Sequence, residues 1–166
     1  KTSKGIYQAD LTIKDGQASL GNFTNCVELN GPTYFKKCGN YLFSIAKNKD
    51  EGGISFFQLN PVKLINSVFQ PGASPAYLGI NEDKHLVYTA NYHTAYLSVY
   101  HYDNDGVSLV DQVKHDSFNL GPRPEQKDGA HPHFFDETPS GKLVSCDLGN
   151  DSVDFYDLKD GHLVHL

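Results

Sequence analysis

An all-β fold, a β-propeller of four-stranded antiparallel blades with about three and a half blades present, is what three features of the sequence predict. A proline-led apolar segment recurs at Pro32, Pro75 and Pro132, each time followed by the same succession of strand-like stretches. Those stretches alternate apolar and polar residues with period two, the pattern of a half-buried strand. The first spacing, Pro32 to Pro75, lies near the ~40–45 residues of one propeller blade, and no segment carries a helical period.

Taken in order, the chain enters partway through a unit. Gly5-Ile6-Tyr7-Gln8-Ala9-Asp10-Leu11 reads as a third strand, Asp15-Gly16 as its turn, and Gln17-Ala18-Ser19-Leu20 as the approach to a fourth, so residues 1–31 are the end of a first blade. Residues 32–73 form the second. Proline opens its first strand, Pro32-Thr33-Tyr34-Phe35, where a missing N–H is tolerated. A turn from Lys36 to Asn40 leads to Tyr41-Leu42-Phe43-Ser44-Ile45, then Ile54 to Leu59 and Leu64 to Val68.

The third blade, 74–130, repeats the plan with Pro75-Ala76-Tyr77-Leu78, Leu86 to Ala90, Leu97 to Tyr102 and Leu109 to Val113. It carries an inserted polar loop, 116–129, rich in proline and glycine. The fourth, 131–166, offers Pro132-His133-Phe134-Phe135, Leu143 to Cys146, Val153 to Leu158 and Leu163 to Leu166. Asp105-Gly106 and Asp160-Gly161 mark two-residue hairpin turns, because glycine accepts positive φ.

Composition narrows the function classes. The formal net charge is −6 with scattered lysines and arginines, so no basic stripe offers itself to nucleic acid. No apolar run reaches the ~18 residues of a membrane span, and no leader peptide is visible at the start. Cys26, Cys38 and Cys146 are an odd, unpaired set, read as buried thiols in a reducing, cytoplasmic setting. The triplets Asn22-Phe23-Thr24 and Asn150-Asp151-Ser152 are then chance matches to a glycosylation signal. There is no methionine, and an open array would leave exposed sheet edges. The expectation is a piece of a longer polypeptide, the rest of the ring lying in further sequence or in another chain.

Chemistry is expected where the oversized connection meets the channel. It leads to Ala130, His131, Pro132 and His133, and two residues apart on a strand share a face. Imidazole titrates nearest neutral pH and suits acid–base work. His131 and His133 are therefore candidate catalytic residues, with Asp147, at the end of a second strand, to orient His131. Asn91, which holds the matching place one blade earlier, is a candidate substrate contact, and Lys47 holds the place before that; capping of strand ends is the competing explanation. Arg123 and Glu125 in the insert are candidate substrate contacts. His131-x-His133 with Glu137 resembles the core of a cupin metal motif, but its leading glycine would fall at Glu125 and the later glycine spacing fails, so neither metal nor cofactor is expected. His93, His101 and His115 form no ligand-like cluster with one another.

Together these residues resemble the lactonase family of seven-bladed propellers, which includes bacterial propeller-type 6-phosphogluconolactonases and the fungal carboxy-cis,cis-muconate cyclase. The match runs through Lys4-Gly5-Ile6-Tyr7, Gly72 to Tyr77 and Tyr88 to Tyr92. It is most specific from Gly121 to Gln126, through Ala130-His131-Pro132-His133, and over Cys146 to Asp151. The resemblance implies a seven-bladed ring and a small-molecule lactone or sugar-phosphate substrate, hydrolysed in carbohydrate metabolism without a cofactor. It also implies that His131 is the family's active-site histidine, its arginine and glutamate partners falling after Leu166. The insert departs from the family's Arg-Gln, carrying Gln126-Lys127. A non-enzymatic ligand- or protein-binding propeller and a muconate-cyclase-type isomerase are the alternatives.

Overall fold

Among residues 3–166, which a computed structural model of the chain describes, sixteen strands and one short 3-10 turn account for the regular structure. The N-terminal portion is a ribbon in two pieces. β1 (Gly5–Gln8) pairs with β4 (Thr24–Glu28), and β2 (Leu11–Lys14) pairs with β3 (Gln17–Leu20). The single strand expected over Gly5 to Leu11 is broken at Ala9 and Asp10, where Gly21 N–H donates to the Asp10 carbonyl at 2.8 Å. Beyond that kink Leu11, Ile13 and Leu20 remain exposed, so alternation in this arm buries nothing. Its turn is as expected, Asp15 and Gly16 both holding positive φ.

Three four-stranded antiparallel sheets follow, each a meander in chain order. The first holds β5 (Phe35–Cys38), β6 (Tyr41–Asn48), β7 (Glu51–Leu59) and β8 (Val62–Pro71). The second holds β9 (Tyr77–Asn81), β10 (Leu86–Ala90), β11 (Tyr96–Tyr102) and β12 (Val107–Lys114). The third holds β13 (Pro132–Glu137), β14 (Leu143–Asp147), β15 (Ser152–Lys159) and β16 (His162–His165). Neighbouring sheets touch through β5, β9 and β13 at one edge and β8, β12 and β16 at the other, the radial arrangement of propeller blades.

Two local expectations are corrected. Lys36 to Cys38 is strand rather than turn, because these residues pair with Phe43, Leu42 and Tyr41 of β6, so the turn contracts to Gly39 and Asn40; Lys36 Nζ also reaches Tyr77 Oη (3.3 Å) and Asp136 (3.5 Å). Asp105-Gly106 is not a two-residue hairpin turn. The loop is wider, and the Asp103 carboxylate accepts the N–H groups of Asp105 (2.8 Å) and Gly106 (3.1 Å). Asp160 and Gly161 do form the tight turn, with φ of 50° and 81°.

Strict alternation places adjacent residues in different cores. Between the first and second sheets, Phe43, Ile45, Ile54 and Phe56 meet Leu78, Val87, Tyr100 and Tyr102, with the Phe43 and Phe56 rings stacked at 4.4 Å. Between the second and third, Tyr88, Leu97 and Val99 meet Phe135, Leu143, Tyr156 and Leu163. Leu42 and Phe57 turn the other way, onto Ile6 and Val27 of the ribbon. Each aromatic or branched aliphatic side chain so buried is worth roughly 1.5–3 kcal/mol of transfer free energy. The remaining face of the third sheet leaves Val153, Phe155 and Val164 exposed.

Candidate functional site

A meander that begins at the inner edge puts two kinds of link at the same end. These are the connections between sheets and the turns between second and third strands. The longest connection, 115–131, joins β12 to β13 and lies against the β14–β15 turn. Gly121 N–H donates to the Gly149 carbonyl (2.9 Å) and Leu148 N–H to the His131 carbonyl (3.1 Å). The connection and the turn approach so closely that a Cβ on Gly149 would collide with the Gly129 carbonyl; within the connection, one on Gly121 would collide with the Gln126 amide. The insert folds its only regular turn at Pro124–Gln126. Buried Gln126 fastens it, donating from Nε2 to the Leu148 carbonyl (2.7 Å) and accepting Arg123 N–H at Oε1 (2.8 Å).

His131 sits just ahead of β13 and is buried. Its ring lies flat on Tyr92, with centroids 4.3 Å apart and planes 9° from parallel. Nδ1 is 2.8 Å from the Tyr92 carbonyl and Nε2 is 2.7 Å from Asp128 Oδ1. A carbonyl and a carboxylate only accept, so the doubly protonated ring is the form that satisfies both contacts. Burial alone would lower its pKa; the bonds to Asp128 and to the Tyr92 carbonyl outweigh it and raise the value above that of ordinary histidine.

His133 is exposed, and it marks a bulge: the β13–β14 register shifts between Pro132 and Phe134. The expected shared face is thereby lost. Both histidines still flank Tyr92, whose ring is met edge-on by His133 at 6.0 Å. His133 lines an open groove with Asp147, Leu148, Asp151 and Ser152.

Asp147 does not orient the His131 imidazole, which is a correction. Its Oδ1 accepts the backbone N–H groups of His131 (2.7 Å) and Asn150 (3.1 Å). Its Oδ2 takes His115 Nδ1 (2.7 Å) and Asn150 Nδ2 (3.3 Å). Burial pushes this carboxyl up, but the bonds from His115, His131 and Asn150 prevail and hold it below the usual range. His115 is itself buried, with Nε2 2.6 Å from Tyr156 Oη. Burial and the Asp154 and Asp147 charges raise the pKa of Tyr156, so its phenol keeps its proton.

Asn91 is likewise spent inside the fold. It donates to the Ala73 carbonyl (2.7 Å) and accepts His93 and Thr94 N–H groups (3.2 and 3.1 Å). Lys47 contributes a backbone bond to Asn30 (2.9 Å) and an exposed side chain. Arg123 and Glu125 stand exposed on the insert and form no ion pair among the described residues. Among those residues no group of three His, Cys, Asp or Glu side chains is disposed to hold a metal ion, and no helix is long and apolar enough to cross a membrane. The structure thus gathers Tyr92, Asp128, His131 and His133 at the mouth and buries His115, Asp147 and Tyr156 behind them. Sequence reading passed over Asp128, whose one signal is its three-residue spacing from His131.

Comparison with known proteins places this geometry in context. Residues 1–166 match the family model described as lactonase, seven-bladed beta-propeller. The chain is 38% identical over 162 residues to an uncharacterized protein of Lactococcus lactis subsp. cremoris, covering 95% of this chain and 46% of that protein. It is 31% identical over 169 residues to a 6-phosphogluconolactonase of Bacillus subtilis, covering 97% and 47%. A crystal structure of a protein from Lactobacillus plantarum superposes with a TM-score of 0.88 at 38% identity, over 99% of this chain and 48% of that one. The chain therefore spans about half the length of the curated relatives it matches.

Proposed function

Because the chain belongs to the lactonase family of seven-bladed β-propellers, we propose that the whole protein hydrolyses a sugar lactone, 6-phosphogluconolactone, at the mouth that holds His131. The observation that carries this reading is the buried, tyrosine-stacked His131 ring, with an acceptor at each nitrogen, beside the exposed His133. Water adds to the ring carbonyl carbon, and the carbon–oxygen bond to the ring oxygen breaks. Charge develops on oxygen as it does so, and a preorganised cationic donor stabilises it. His131, held as imidazolium, serves as general acid toward that oxygen, with His133 free to contact substrate. The reaction belongs in the cytoplasm, where the free thiols Cys26, Cys38 and Cys146 stay reduced.

The support for a lactone is the family match and the Bacillus subtilis relative named a 6-phosphogluconolactonase. The test is hydrolysis of 6-phosphogluconolactone by the full-length protein. His131→Ala is expected to lower kcat/KM at least about 100-fold, the usual scale of a positioned acid or base; unchanged kinetics would sink the assignment. A ligand-binding propeller without hydrolysis is favoured by one observation, that Asn91 and Asp147 spend their polar groups on the protein itself. Saturable binding with no turnover would decide for it.

A further inference from the structure

We propose that Asp128 is a positioning residue for His131: in the free site its carboxylate takes the Nε2–H and holds the ring as a doubly bonded imidazolium until a substrate oxygen replaces it. The inference rests on reading His131 as the acid.

The two partners of the ring differ in permanence. The Tyr92 carbonyl is part of the 91–95 turn, closed by Asn91 N–H to Tyr96 O (2.8 Å) and Ala95 N–H to Asn91 O (3.0 Å). Asp128 belongs to the insert, and its side chain is 78% exposed while that of His131 is 9% exposed. It is therefore the partner that can leave. The hook that delivers it is local: Gly129 holds φ +142°, a conformation that side-chain-bearing residues rarely adopt, and the next N–H, of Ala130, donates to Ser117 Oγ at 3.0 Å. Glycine supplies that backbone angle without steric cost. The other groups near the ring come from different elements. The Tyr92 ring covers it, Asp147 holds its backbone, and His93 and His133 lie against the edges of Tyr92.

The carboxylate oxygen stands where Nε2 would meet a substrate oxygen. It marks the ligand as one presenting an acceptor, a lactone oxygen or carbonyl. When that oxygen replaces Asp128 the ring loses its nearest counter-charge and becomes a stronger acid. As the bond breaks, its electron pair goes to the ring oxygen, which takes the Nε2 proton. The attacking water gives one proton to bulk solvent as it adds, and the carboxylic acid so formed ionises and returns the proton that restores the imidazolium; lactone and water thus become a hydroxycarboxylate and one released proton.

The test uses full-length protein labelled with 13C at histidine Cε1, with the His131 resonance identified by its loss in His131→Gln. In Asp128→Asn the His131 titration midpoint is expected to fall by about one pH unit, the lower end of the effect of a neighbouring opposite charge. Asp128→Glu is expected to restore much of it. The alkaline limb of log kcat/KM for 6-phosphogluconolactone should shift with it. An unmoved midpoint in Asp128→Asn overturns the proposal. A midpoint that falls while the kinetic limb stays in place leaves the positioning role standing and overturns His131 as the acid, so the two failures are distinguishable.

Discussion

Asn91 and Asp147 end the second strands of neighbouring sheets, and each ties a turn to the connection that precedes its sheet. Asn91 does so as a neutral group with balanced partners, its amide N–H meeting the Ala73 carbonyl and its oxygen meeting turn N–H groups. Asp147 faces donors only: two backbone N–H groups, an amide and the His115 ring. A carboxylate can serve four donors at once, whereas an amide cannot. Substituting a charge at this one position turns a plain strand end into a buried Asp–His–Tyr chain directly behind His131. The difference teaches that repetition supplies the scaffold and a single polar exchange supplies the local chemistry.

The comparison breaks most readily at Asp147. Asp147→Ala leaves several buried donors, one of them the His115 ring, without an acceptor, and urea unfolding should show a loss of at least about 3 kcal/mol, above the roughly 1–3 kcal/mol of one orphaned group. Asn91→Ala should cost less, about 1–3 kcal/mol; equal losses would show that the charge adds nothing. The pH response separates them further. The folded pKa of Asp147 is depressed, so its contribution is present above the unfolded carboxylate value and fades as pH falls through the lower folded value. The gap between wild type and Asp147→Asn should narrow in acid, while the gap for Asn91→Ala stays level.

Asn91→Asp sharpens the contrast, because it sets a carboxylate against the Ala73 carbonyl. A loss of about 1–3 kcal/mol at neutral pH is expected, relieved when acid protonates the new group; a flat pH response would argue against acceptor repulsion. The smallest effect belongs to Gln126→Ala, which removes the two bonds that fasten the insert. Melting should show a loss of roughly 1–2 kcal/mol, one ordinary hydrogen bond each, with faster proteolysis between Asp116 and Gly129.

The strands were legible because their signal is local. Val87 beside Tyr88, and Val99 beside Tyr100, alternate between two cores as period two requires. The failures came where distant partners decide. Lys36 Nζ reaches Tyr77 and Asp136, 41 and 100 residues away, contacts no local pattern shows. His115 finds Asp147 and Tyr156 at separations of 32 and 41 residues, which no spacing rule anticipates. The place of His131, at the end of the oversized connection, was legible. Asp128 was not, since an exposed acid in a polar loop looks like any other until its neighbour's ring is in place.

The seam where Gly149 of the turn meets Gly129 of the loop has a practical consequence for protein engineering. With no room there for one methyl group, loop and turn are a matched pair. Transplanting the 116–129 segment between relatives to alter ligand choice would require carrying the 147–151 turn with it as a single cassette. Diversification libraries belong at the outward positions Arg123, Glu125 and Lys127, where variation leaves the joint undisturbed.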